Sequence, residues 1–224
     1  MISKLPRWVE FGAFVLALVA GCVNAVGLLG LKHQSISHLS GTATLLGIEV
    51  LNAPLGDALQ LFAVLLSFLI GASISGYLLP GGALKLGHNY SSVLSLEAIF
   101  LLAASYLLIN QSFYGHCLAS AACGLQNALA TTFSGAIIRT THVTGIFTDL
   151  GIMLGAKLRG VPFDKRKALL FLIIILGFIL GGSLGVVLFD ALSFFALIIP
   201  ACMCLSLAGL YSLYKIKISS RRYR

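Results

Sequence analysis

Apolar runs about twenty residues long recur along the chain, over 8–30, 58–79, 91–110, 113–133, 167–189 and 192–214. Between them lie two shorter helical patterns, at 41–53 and 143–157, each following a polar stretch. A run of about 20 apolar residues is the length a helix needs to cross a bilayer core of about 30 Å. Only helices and closed barrels satisfy the backbone inside lipid. The pattern therefore predicts an all-α, polytopic transmembrane bundle occupying the whole chain, 1–224. The two short segments are too brief to cross comfortably at about 1.5 Å per residue. They are expected to be half-helices that enter the membrane and turn back.

The pattern is also written twice. Gly21-Cys22-Val23-Asn24-Ala25 returns 103 positions later as Gly124-Leu125-Gln126-Asn127-Ala128. The stretch from His38 to Gly47 returns from His142 to Gly151, sharing His-x-[Ser/Thr]-Gly-x-x-Thr-x-Leu-Gly. Ser67, Gly71 and Ser75 are matched by Gly177, Gly181 and Gly185. This order of matches predicts an internal duplication, with repeat 1 over 8–110 and repeat 2 over 113–214. Three full spans per repeat would invert the halves relative to each other. If the short segments cross too, there are eight spans and the halves are parallel.

Composition agrees with the pattern. Of 224 residues 58% are hydrophobic and only 10% charged, where a soluble domain carries about 25%. The net charge of +8 does not point to nucleic acid, because it is gathered in patches. Lys157, Arg159, Lys165, Arg166 and Lys167 crowd one loop, and Lys215, Lys217, Arg221, Arg222 and Arg224 crowd the C-terminus. Such clusters beside apolar spans are retained in the cytoplasm. With six spans and both termini inside, Lys85 and Arg139 are also cytoplasmic and only Lys32 is outside; eight spans put all three outside. The charge rule favours six, in a bacterial inner membrane.

The five cysteines all fall in apolar stretches, an odd number that makes no disulfide framework. Lys4, Arg7 and the run up to Leu18-Val19-Ala20-Gly21-Cys22 imitate a lipoprotein signal. Glu10 interrupts that run, and the segment recurs in repeat 2, so cleavage or lipidation is not expected. Gly181-Gly182-Ser183-Leu184-Gly185 spells a nucleophile-elbow pattern, but without the strand-to-helix turn that pattern needs. Gly71, Gly177, Gly181 and Gly185 are read instead as helix-packing positions, since small residues four apart let helix backbones approach. The same faces could serve a homo-oligomer.

Inverted repeats with interrupted helices present bare backbone groups near the membrane centre, where transporters bind solutes. Ser40, Gly41 and Thr44, with Thr144, Gly145 and Thr148, open the short helices. Their positive ends suit an anion or a carbonyl oxygen. Asn24, Gln126 and Asn127 lie within spans, where an amide must find a partner. All nine are candidate substrate- or ion-binding residues. His38 and His142 carry imidazoles, the side chain suited to proton coupling, and Glu97 and Asp149 are acids in apolar segments; these four are candidates for proton or ion coupling. No catalytic residue, metal site or cofactor is expected.

The paired motifs resemble the YoaK-type bacterial membrane proteins, a family described as a domain of unknown function. Thr140-Thr141-His142-Val143-Thr144-Gly145 and Gly124 to Ala128 fit its second-half elements, and the resemblance runs through most of the chain. In the first half Asn24 stands where the family often has Asp, and Ser40-Gly41-Thr42 stands for Thr-Gly-Asn. The resemblance implies a permease and names no substrate. The expected function is a secondary transporter moving a small polar solute or ion through a polar centre between the repeats, its only other partner being the bilayer. A channel built on re-entrant half-helices and an intramembrane enzyme are the alternatives.

Overall fold

In the computed structural model, residues 8–30, 36–52, 54–79, 89–135 and 138–222 are described, with side chains up to residue 215. Lys4, Arg7, Lys32, Lys85 and Arg224, used above for sidedness, lie outside the described residues. So do the side chains of Lys217, Arg221 and Arg222. Among the described residues all regular structure is helical. The order is α1 (Trp8–Leu29), α2 (Leu39–Asn52), α3 (Leu55–Leu78), α4 (Tyr90–Ile109), α5 (Tyr114–Ser134), α6 (Val143–Leu158), α7 (Lys165–Leu192) and α8 (Ile198–Arg222). A 3-10 turn, Ser193–Leu197, joins α7 to α8.

Local chemistry sets most of the ends. Pro54 (φ −56°, ψ 140°) separates α2 from α3, because proline has no N–H to continue a helix. Gly135 takes the left-handed conformation (φ 63°) and closes α5. The Asp164 carboxylate accepts the Lys167 N–H at 3.0 Å and starts α7. Ser193, at φ 53°, breaks the long final stretch. The last two helices therefore cover 165–192 and 198–222, against the expected 167–189 and 192–214, with the turn between them.

α1, α3, α4 and the stretch from Lys165 to Lys215, which holds α7 and most of α8, are long and apolar enough to cross a membrane. Together they make this a multi-pass membrane protein. α5 is less apolar, and its place explains why: 13 of its 21 residues are buried, among them His116, Ser120, Gln126 and Ser134. The polar helix takes the protein interior and the apolar helices take the lipid. Trp8, Tyr90, Phe133, Tyr211 and Tyr214 gather at one end of the bundle, with ring centroids 5.5–6.2 Å apart where paired. Such a cluster suits a membrane–water boundary.

Two helix pairs dominate the packing, α1 with α7 and α3 with α5. At Gly181 a Cβ would strike the Leu18 carbonyl, and at Gly21 it would strike the Phe178 carbonyl. At Gly71 it would strike the Ala121 carbonyl, and at Gly124 the Phe68 carbonyl. These four contacts fall at matched positions of the two sequence halves. Gly177 lies against Phe14 and Gly185 against Cys22, so residue numbers rise together and α1 and α7 run parallel. Ser120 donates to the Val64 carbonyl at 3.0 Å, while Gly124 meets Phe68; α3 and α5 are parallel too. In contrast α1 and α5 are antiparallel, since Trp8 packs by Phe133 while Gln126 donates to the Leu16 carbonyl.

The short helices stay at the periphery. α2 lies on α3 and α6 on α7. Each buries one residue, Thr42 and Ile146, which are also matched positions. Gly181→Ala and Gly71→Ala should each lower the thermal unfolding midpoint in detergent, since forced overpacking costs about 1–3 kcal/mol. Gly182→Ala and Gly76→Ala, whose added Cβ would meet nothing within 4 Å, should leave it unchanged.

Candidate functional site

Each short helix begins below the end of the long helix before it, because a side chain on that long helix holds the returning chain. The Asn24 amide oxygen accepts both the Ser37 N–H (3.2 Å) and the Ser37 hydroxyl (3.0 Å). That ties the start of α2 to the interior of α1. In the second half the Ser134 hydroxyl accepts the Ile138 N–H at 2.7 Å, just past the Gly135 turn. Two residues on, the Thr140 hydroxyl reaches the Asn127 amide oxygen at 3.5 Å. The chain is thereby folded back along α5 before α6 begins.

Both returns lead to one place. A cavity of about 600 Å³ is lined by Ser37, His38, Leu39 and Ser40 from the start of α2, and by Arg139, Thr141, His142, Val143 and Thr144 at the start of α6. Phe68 and Ala72 of α3, with Asn127, Ala128, Thr131 and Thr132 of α5, complete it. The first backbone N–H to bond back into each short helix is that of Thr42 and of Ile146, to His38 and His142. The N–H groups before them have no partner within their helix, and no side chain caps α6. No acidic residue is among the described lining residues.

Of the residues singled out by sequence, His38, Ser40, Asn127, His142 and Thr144 meet in this cavity. Gly145 stands behind it: a Cβ there would collide with the His142 ring, so the glycine is what lets that ring fold over the helix start. Gly41 has open space at its matched position. Thr44 and Thr148 return their hydroxyls to the carbonyls of Ser40 and Thr144, at 2.9 and 3.0 Å. Asn24 and Gln126 do not line the cavity; one holds Ser37 and the other is buried against α1.

The acids lie elsewhere. Asp149 faces Lys167 at 3.8 Å, and Glu10 pairs with Arg166 at 3.2 Å. Glu97 is 1% exposed in the interface of α4 with α8, where it bonds Cys204, and its Oε2 has no hydrogen-bond partner. Arg139 and Thr141 were not selected from the sequence as binding residues. Arg139 read only as a sidedness charge, and Thr141 only as part of the family-like motif from Thr140 to Gly145; their signal was their place just before a duplicated helix start.

Two other spaces are less suited to a polar solute. One of about 390 Å³ between α1, α4, α5 and α8 is walled by Trp8, Phe133, Tyr211 and aliphatic side chains, and would take an acyl chain. The other, about 650 Å³, is an open groove of α4 and α8 bordered by Ser91, Ser92, Ser95 and Ser212.

A protein-family model described as "Protein of unknown function (DUF1275)" matches residues 12–210. The chain belongs to the DUF1275 family. This agrees with the YoaK-type resemblance of the paired motifs. No curated protein and no solved structure matches the chain. The match spans both short helices and the cavity between them, so the cavity lies wholly within the DUF1275 region. In this DUF1275 chain, Asn24→Ala would strand two buried donors of Ser37, at about 1–3 kcal/mol. The variant should show a lower unfolding midpoint, with a larger loss than Thr44→Ala, whose hydroxyl bonds only within its own exposed helix.

Proposed function

We propose that this protein is a permease of the bacterial inner membrane, carrying a small polar solute or ion through the cavity at the starts of α2 and α6. In this reading the two halves are inverted repeats of three spans each, α2 and α6 are re-entrant half-helices, and both termini are cytoplasmic. The observation that carries it is the convergence of two matched helix starts, a hundred positions apart in sequence, on one polar cavity. Backbone left bare inside a membrane is tolerated where it lines such a space, and transporters use it to hold their cargo.

The helix directions support the inversion. α1 and α5 occupy matched positions in the duplication and run antiparallel, which three spans per half would produce and four would not. The parallel pairs α1–α7 and α3–α5 fit the same scheme. The basic residues at the start of α7 then share a face with the start of α1, as the Glu10–Arg166 ion pair requires. That face is the cytoplasmic one by the charge rule.

A transporter and a re-entrant-loop channel share these features, and kinetics separates them. The purified protein in proteoliposomes, offered labelled small anions, neutral polar solutes and cations, should take up one class saturably and show counterflow. Asn127→Ala and Thr144→Ala should each reduce that uptake at least tenfold while assembly stays normal. Undiminished uptake in both variants would remove the cavity from the pathway, and saturable flux without counterflow would make the protein a channel.

A further inference from the structure

We infer that the cavity at the starts of α2 and α6 is an anion site, and that the solute carried is a small anion held between the two helix N-termini and the Arg139 guanidinium. The inference rests on the permease reading for what the site does, and on the cavity alone for what it binds. Three features agree on the sign of the charge, and one more, a free hydroxyl, offers the ligand a hydrogen bond.

The first is the pair of helix starts. Each half-helix presents N–H groups that have no partner within their own helix and the positive end of its dipole, and two such ends at one cavity reinforce each other for an anion. The second is Arg139, which lines the cavity and has no ion-pair partner among the described residues. A guanidinium stays charged at any physiological pH, so a cation in this space would be repelled. Its backbone is fixed on both sides, because Ile138 and Thr140 are buried, at 3% and 0% exposure, and both are hydrogen-bonded.

The third feature is Thr141. It is 8% exposed, it lines the cavity, and its hydroxyl has no hydrogen-bond partner among the described residues. The hydroxyl is not one of the fully buried unpartnered groups; it opens on the cavity, where it can donate to an anion. The fourth is the distribution of acids. The nearest on α6, Asp149, lies more than a turn along the helix and is drawn towards Lys167; Glu49 is further still along α2.

The test measures binding and flux separately. The unfolding midpoint of the purified protein is followed in sodium chloride, formate, phosphate and sulfate, against sodium gluconate at equal ionic strength. Phosphate and sulfate stabilise proteins generally by exclusion from the surface, so the reading is a saturable rise that Arg139 controls. At least one anion should give that rise. Its apparent affinity should fall at least tenfold in Arg139→Gln, recover in part in Arg139→Lys, and not change when potassium replaces sodium. Thr141→Val, which keeps the side-chain shape, should also weaken it, and serves alone if Arg139→Gln does not fold.

The inference is overturned if no anion gives a saturable rise, or if the folded variants keep wild-type affinity. The two readings fail separately. Saturable anion binding without flux of any solute in proteoliposomes would remove the permease and leave the site. Flux of a neutral solute or a cation with no anion effect would remove the site and leave the permease.

Discussion

The bundle depends on four glycines, Gly21, Gly71, Gly124 and Gly181, at which backbones touch with no room for a Cβ. Between transmembrane helices there is little hydrophobic drive, because lipid tails are as apolar as leucine. Association must come from close packing, and these positions supply it. Their placement also decides the topology. α1 is fastened to α7 and α5 to α3, so each half lends its first helix to the other's second long one. Neither half can complete its own packing.

That exchange leaves the short helices outside the central pairs, each resting on a single neighbour. It also leaves their starts facing the same space. The polar groups offered there are largely backbone: two helix starts, each set into the bundle by one or two side-chain hydrogen bonds. Asn24 and the pair Ser134 and Asn127 do this work in the two halves. The polar side chains of α5 fit the same picture, since α5 passes through the interior where lipid does not reach. Glu97 is separate. Its carboxyl lies between α4 and α8, close to Cys204 and Cys123, and touches no cavity residue by hydrogen bond.

Much of this was legible in the sequence, and the limits have physical causes. Apolar run length located every helix, including both short ones, because lipid imposes a length that soluble folds do not. Gly71 and Gly181 announced themselves by four-residue spacing on a helix face. Gly21 and Gly124 did not; they stood out only as duplication markers. Asn24 and Asn127 look alike in sequence, yet Asn24 accepts two hydrogen bonds in the core while Asn127 also borders the cavity. The returning hydroxyl lies thirteen residues on in both halves, Ser37 and Thr140, so nothing in the spacing announces the difference. Arg139 illustrates the same limit. A charge between two spans reads as a loop residue until the loop is found folded back into the bundle.

The central claim is the inversion of the two halves, and sidedness tests it most directly. Asn52 ends α2 and Val161 follows α6, and both are exposed. With the five native cysteines replaced, a single cysteine at each would be labelled in intact cells with an impermeant thiol reagent. Labelling at position 52 and not at 161, until the membrane is opened, is the result the account predicts. Equal labelling or equal protection at the two positions would put both ends on one side, make the short helices full crossings, and contradict it.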